Sequence, residues 1–360
     1  MEIELDTGET KNAQTHVVFV VVPKFNLATL ITMIETMRVA NYLTSTPLFS
    51  WEVVSFDGLK ITASNGMGVT VKADTSTVGQ VDLIVVLGSW GAEHYNNRAL
   101  ISWLRQRARR GDRICAVELG CYIVARAGLL QDRQATTHWS WLPGFQESQP
   151  DIDVLEQLYT INGRIMSCAG GLAGVDLMLC LIKTSHGAGF AGEIADQMIY
   201  HPIRAPTAPQ RRLMGQENDS LAPILRKTIE LMERNMDDPL SVPDIAASLG
   251  TSQRQLERIF KKHIGCTVVQ FGLLLRLQHA RVLLISTSLS VREIATASGF
   301  NTLSHFAFSF QKCFGRRPSE YRESWPNDQS APSWPGTLSE FLTSLQKKHH
   351  RQTGPSDDTA

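Results

Sequence analysis

The sequence predicts a chain in two parts: an α/β unit on a parallel sheet, then an all-α unit with two helix-turn-helix elements. Three observations predict it. Short apolar runs alternate with helical spacings through the first 200 residues, basic charge gathers in one later segment, and two stretches of that segment repeat each other. A length of 360 residues allows two to three domains of about 150 residues each.

Residues 1–15 are acidic and polar and are expected to be flexible. They lack the basic and apolar regions of a secretory signal. No run reaches the ~20 apolar residues that span a bilayer, so a cytoplasmic chain without a membrane partner is expected. The six cysteines include no C-x-x-C pair, so no metal site is expected, and no cofactor is read.

The first domain is expected over 16–200. "HVVFVVV" (16–22) is a continuous apolar run, as in a strand buried on both faces. "LATLITMIETMRVANYL" (27–43) has helical spacing. "WEVVSF" (51–56), "VDLIVVLG" (81–88) and "RICAVE" (113–118) are further strands, with helices over 97–110 and 120–128. "GRIMSCAGGLAGVDLMLCLIK" (163–183) repeats strand, glycine turn and helix. Such alternation indicates a parallel sheet covered by helices. A linker is expected over 201–219, where prolines interrupt any apolar period. The tail, 324–360, is rich in Pro, Ser and Asp and is expected to be mostly disordered, with a short helix over 338–348.

The helical domain, 220–323, carries the charge. Between Gly250 and Arg322 stand eleven Lys/Arg against three acids, so this segment is +8 and the remainder −8 in a chain of net charge zero. A basic module joined to an acidic one suits a polyanionic partner. Ser241, Val242, Ile245, Ala246 and Gly250 recur 49 residues later as Ser290, Val291, Ile294, Ala295 and Gly299. Phe260, Lys262 and Gly265 recur 50 residues later as Phe310, Lys312 and Gly315. Each unit reads as helix, glycine turn, helix.

In the first unit Leu256, Ile259 and Phe260 share a face that packs inward. Gln253, Arg254, Glu257, Arg258 and Lys261 face outward, where Arg and Gln can pair with base edges of double-stranded DNA in the major groove. A helix of roughly 19 residues within 267–287 connects the units and would span about 28 Å, near the ~34 Å between successive grooves. Arg276, Arg281 and Arg292 are expected to approach phosphates.

Residues 221–322 resemble the DNA-binding domain of the AraC/XylS regulators, whose signature is similar to "GFNTLSHFAFSFQKCFGRRPSEYR" (299–322). That family usually has arginine at the position of Phe308, matching Arg258. Its loss shifts the expected contacts of the second helix to Leu303, Ser304, His305 and Lys312.

"AVELGCYIVARAGLL" has the form of a nucleophile elbow, a sharp strand-to-helix turn, but Glu118 occupies the crown. Cys115 and Cys121 read as buried packing residues. The first 200 residues resemble the PfpI-type, class I glutamine-amidotransferase-like domain, which implies a flavodoxin-like sheet. Joined to an AraC-type domain, that is the architecture of the GlxA family. "AGLL…TTHW" (127–139), "IETMRVAN" (34–41), "SFDGLKITASNG" (55–66) and "SCAGGLAGVDLML" (167–179) are similar to a subgroup regulating carnitine, glycine betaine and arginine catabolism. Enzymatic relatives carry cysteine where Glu118 stands, so hydrolysis is not expected to carry over; a cysteine hydrolase or amidotransferase is the alternative.

The resemblance implies a transcription regulator, expected to be an activator working with RNA polymerase, and a homodimer is compatible with it. A small amine or amino-acid-derived effector is expected to meet the Glu118 carboxylate. Trp90, Trp139 and Trp141 offer cation–π faces, His138 lies beside them, and backbone amides near Ser89, Leu119, Gly120 and Gly170 are expected to hold an effector carboxylate.

Overall fold

The computed structural model describes residues 14–210 and 222–323. Expectations for the N-terminus, for linker residues 211–219, and for the tail with its 338–348 helix fall outside the described residues. The chain divides into two units, Met1–Arg211 and Arg212–Ala360.

The first unit begins with β1 (Thr15–Val21), α1 (Leu27–Tyr42) and β2 (Phe49–Ser55). A small antiparallel ribbon, β3 (Ile61–Thr62) with β4 (Gly68–Val69), follows. Then come β5 (Ala73–Asp74), β6 (Leu83–Gly88), α2 (Arg98–Arg109), β7 (Arg113–Glu118) and α3 (Gly120–Arg126). β8 (Gln134–Ala135) and β9 (Asp153–Val154) form a second ribbon around α4 (Leu142–Ser148). β10 (Tyr159–Asn162), β11 (Ile165–Cys168), α5 (Ala173–His186) and α6 (Ala188–Gln197) complete the unit.

Seven strands form one sheet in the order β10-β11-β7-β6-β1-β2-β5. Every pair is parallel except β10 with β11. This is the doubly wound, flavodoxin-like arrangement, with β1 central and later strands added on both sides. Val17, Phe19 and Val21 join one core with Met33 and Met37 of α1 and Leu177 of α5. Val18 and Val20 are equally buried and by alternation face the other side, which explains the unbroken apolar run. β10 is an addition to the sequence reading. Its hairpin turns on Gly163 and Arg164 between Asn162 and Ile165, where glycine at the first loop position, with φ +61°, is the usable signal.

Residues 201–210 pack onto the first unit, although the sequence reads as linker from His201. The prolines prevent a helix but not docking. The Arg204 side chain reaches Asp176 Oδ2 through Nε at 2.9 Å and Nη2 at 2.6 Å, and its amide donates to Oδ1 at 2.8 Å. Tyr200 adds a hydroxyl to Oδ2 at 2.8 Å. The Gln210 amide nitrogen donates to Thr136 Oγ1, Thr137 O and Gln157 O at 2.7–3.0 Å.

The second unit is helical: α7 (Ala222–Arg234), α8 (Val242–Ser248), α9 (Gln253–His263), α10 (Val268–Ser286), α11 (Val291–Ala297), α12 (Leu303–Phe314) and α13 (Pro318–Glu323). Ser241, Ser252, Ser290 and Thr302 cap α8, α9, α11 and α12 with side-chain oxygens; such caps contribute about 1 kcal/mol each. α10 is long and apolar enough to cross a membrane. Its Val268, Phe271, Leu274, Leu277 and Leu284 are instead buried within the unit, and it carries Arg276, His279 and Arg281.

Candidate effector site and nucleic-acid interface

The turn after β7 has the geometry its sequence announces. Glu118 ends the strand with φ +52°, a left-handed conformation sparsely populated by non-glycine residues. Gly120 opens α3 so close to β6 that a Cβ there would lie 2.2 Å from Val86 O. Gly170 closes the opposite wall. At φ +85° it needs glycine for its backbone, and a Cβ would fall 1.8 Å from Glu118 Cγ.

A cage of neutral donors surrounds the Glu118 carboxyl, which is only 4% exposed. Oε1 accepts from Asn26 Nδ2 at 2.7 Å, Thr29 Oγ1 at 3.0 Å and Gly171 N at 3.2 Å. The Ser89 hydroxyl donates as well. Asn26 has two tasks, since its Oδ1 caps α1 by accepting from Thr29 N. Thr137 Oγ1 donates to the Glu118 carbonyl at 2.8 Å. Burial raises the carboxyl above its ordinary range while these donors pull it back. Among the described residues no cation forms an ion pair with Glu118.

Glu118, Ser89 and Gly170 of the sequence reading therefore come together; Asn26, Thr29, Thr137 and Gly171 are additions. The Leu119 amide donates to Gly88 O at 3.1 Å, so it is spent on the fold and does not serve an effector carboxylate. The Gly171 amide is likewise engaged by Thr29 Oγ1 at 2.8 Å. Trp90 is 36% exposed beside Ser89. His138 follows Thr137, its Nδ1 is 2.8 Å from Ser140 Oγ, and burial lowers its pKa to about 4. The Trp139 ring lies 5.5 Å from the His138 ring, whereas Trp141 is a core residue.

The thiols lie below the surface. Cys121 Sγ donates to Thr136 O at 2.9 Å. Burial pushes the Cys115 and Cys121 thiols well up and Cys168 to about 12.

In the second unit the repeat is structural as well as sequential. Gly250 and Gly299 occupy the two turns at φ +62° and +70°. Residues 252–260 and 302–310 show the same order of exposed and buried positions throughout. Gln253, Arg254, Arg258 and Lys261 of α9 are exposed, as are Leu303, Ser304, His305 and Lys312 of α12.

Three expected DNA contacts are corrected. Glu257 Oε2 accepts from Val268 N at 3.2 Å, tying α9 to the start of α10. Arg281 is 2% exposed and its Nε donates to Tyr321 Oη at 2.6 Å, with its guanidinium beside the Phe314 and Tyr321 rings. Arg276 holds Gly299 O at 2.8 Å and lies 4.9 Å above the Phe300 ring. Arg292 remains exposed. Two of the three basic residues expected at phosphates thus brace the second helix-turn-helix from within.

Comparison with known proteins agrees with this division. Residues 16–184 match the DJ-1/PfpI family and residues 245–324 match a helix-turn-helix domain. The chain is 33% identical to the HTH-type transcriptional regulator GbdR of Pseudomonas aeruginosa, over 89% of this chain and 87% of that one. It is 35% identical to the HTH-type transcriptional regulator CdhR of the same organism, over 88% and 94%. With the HTH-type transcriptional regulator GlxA of Rhizobium meliloti it shares 30% identity over 88% and 98%.

Proposed function

Because the chain belongs to the family of HTH-type transcriptional regulators that joins a DJ-1/PfpI domain to an AraC-type DNA-binding domain, we propose that a small cationic amine or amino-acid derivative binds its first unit and sets its activity on DNA. The observation that carries this reading is the Glu118 carboxyl, buried among neutral donors with no cation among the described residues. A buried carboxylate lacking a counter-charge is costly, and a ligand ammonium or guanidinium supplies that charge. Trp90 offers an exposed ring face beside the same turn.

Calorimetry with glycine betaine, carnitine and arginine tests the reading. Binding of one of them, weakened at least tenfold in Glu118→Gln, supports it; unchanged affinity in the variant overturns the carboxylate's role. Cation binding favours the ionised carboxyl, so protons are released and the enthalpy varies with the buffer's ionisation heat.

The path outward starts at Thr137. Its hydroxyl holds the elbow carbonyl, and its own carbonyl receives Gln210, the last described residue before the second unit. Coupling needs the effector to favour one arrangement of this anchor over another. Gln210→Ala should leave effector affinity intact and reduce the effector's influence on operator binding. We read the output as activation through RNA polymerase, tested by transcription in vitro with and without effector. Sedimentation on and off DNA tests the homodimer.

The first unit is read as a sensor without catalysis. A reactive cysteine needs a thiolate, and Cys115, Cys121 and Cys168 are buried and shifted upward. Rapid iodoacetamide labelling of one of these thiols in the native protein would restore the hydrolase alternative.

A further inference from the structure

α9 and α12 present the same positions outward but different chemistry. α9 exposes Arg254, Arg258, Lys261 and Lys262; in α12 the equivalent positions are Ser304, Phe308, Gln311 and Lys312. Phe308 is 66% exposed, and Leu303, five residues before it at the start of the helix, is 38% exposed. Neither belongs to the aromatic core of this unit, where Phe306 and Phe310 are fully buried. The Lys312 ammonium lies 5.9 Å from the centre of the Phe308 ring, as in a cation–π contact. Phe308 stands where α9 has Arg258, so it continues a DNA-facing surface.

We propose that the second helix-turn-helix reads thymine C5-methyl groups through Phe308, assisted by Leu303, so that the two half-sites are recognised by different chemistry. The major groove offers an apolar feature in the thymine methyl, and aromatic or aliphatic side chains are suited to it. A lone solvent-exposed phenylalanine gains nothing from water, whereas a methyl group against its ring removes apolar surface from both partners. Lys312 can meet a phosphate while the Phe308 ring faces the groove. Arg258, by contrast, suits guanine O6 and N7. Phe308 is thereby added to Leu303, Ser304, His305 and Lys312, the residues expected to make the contacts of the second helix.

The inference rests on the DNA-binding reading, and one experiment separates the two. Duplexes are selected from a random pool with the full-length chain, and thymines in the selected site are replaced one at a time by deoxyuridine, which removes only the methyl. One or two thymines in one half-site should each contribute about fourfold to affinity, the value of one buried methyl. In Phe308→Ala that dependence should vanish while thymines in the other half-site behave as before. Phe308→Arg should alter the selected bases in that half-site alone. Circular dichroism and melting of both variants should match the parent, because the side chain is exposed. Selected sites indifferent to deoxyuridine, or a deoxyuridine penalty unchanged in Phe308→Ala, would overturn the assignment while leaving DNA binding intact. Enrichment of no duplex at all would overturn both.

Discussion

Glu93 offers a stability test whose sign and size follow from its surroundings. It lies in the loop after β6 that also carries Ser89 and Trp90, and it is 2% exposed. Oε2 accepts from Gly91 N at 2.9 Å, while Oε1 is buried without a hydrogen-bond partner. Arg126 spends Nη2 on the Glu93 backbone carbonyl and Nη1 on those of Ala92 and Tyr95. Burial outweighs these influences and raises the carboxyl from 4.5 to about 7. Between those values the folded chain keeps a proton that the unfolded chain has lost, so stability falls as pH rises through the window and is level on either side. The shift corresponds to about 3 kcal/mol in full, of which about 2.5 kcal/mol falls between pH 5 and pH 8. Glu93→Gln removes the titration. Its stability relative to the parent should therefore grow by about that amount from pH 5 to pH 8, read by calorimetry of the first unit's transition at constant salt. Parallel pH profiles for the two proteins would show that Glu93 is ionised throughout and that its burial is compensated.

The remaining predictions concern the elbow and the DNA unit. Gly170→Ala should destabilise the first unit by about 2–5 kcal/mol, combining left-handed strain with overlap on Glu118. Adding Glu118→Ala should recover part of that loss; strict additivity would argue against the overlap. Tyr321→Phe removes a hydrogen bond to the Arg281 guanidinium and should lower the second unit's stability by about 1.5–3 kcal/mol. The salt dependence of DNA binding should stay unchanged, and a shallower salt slope would return Arg281 to the phosphates. Arg258→Ala should weaken operator binding by about 1–3 kcal/mol and relax specificity at one position; equal losses on random DNA would confine it to the backbone.

The sheet was legible because parallel strands buried on both faces leave continuous apolar runs, and β1, β6 and β7 all do. β10 was missed because a four-residue edge strand leaves little pattern beyond its turn. The repeat made the second unit legible down to the exposure of single residues. Arg281 was misread because charge was weighed without direction. Leu274, Leu277, Arg281 and Leu284 follow the spacing of one buried helix face, and that spacing was the available signal. Charge alone suggested a phosphate, whereas a guanidinium among Phe314 and Tyr321 rings can be held inside by aromatic faces and one hydroxyl.

The elbow shows a different limit. Its crown residue could be read from seven or eight consecutive residues, but its cage could not, since Asn26 and Thr29 lie about ninety positions away in the chain. A non-glycine residue held at positive φ costs about 1–3 kcal/mol and persists only when its surroundings over-determine it. Here those surroundings are the start of α1, the loop after β6, the Gly170–Gly171 turn and Thr137. Without a thiol at the crown, nucleophilic attack does not account for that strain. What it accomplishes is to place one carboxyl where three separate segments converge, while Thr137, which also accepts from Gln210, holds the main-chain carbonyl of the same residue. A charge that drew on this carboxyl would compete with the hydrogen bonds from Asn26, Thr29 and Gly171. The same strain that positions a nucleophile in an enzyme therefore suits a sensor, because the turn cannot relax alone.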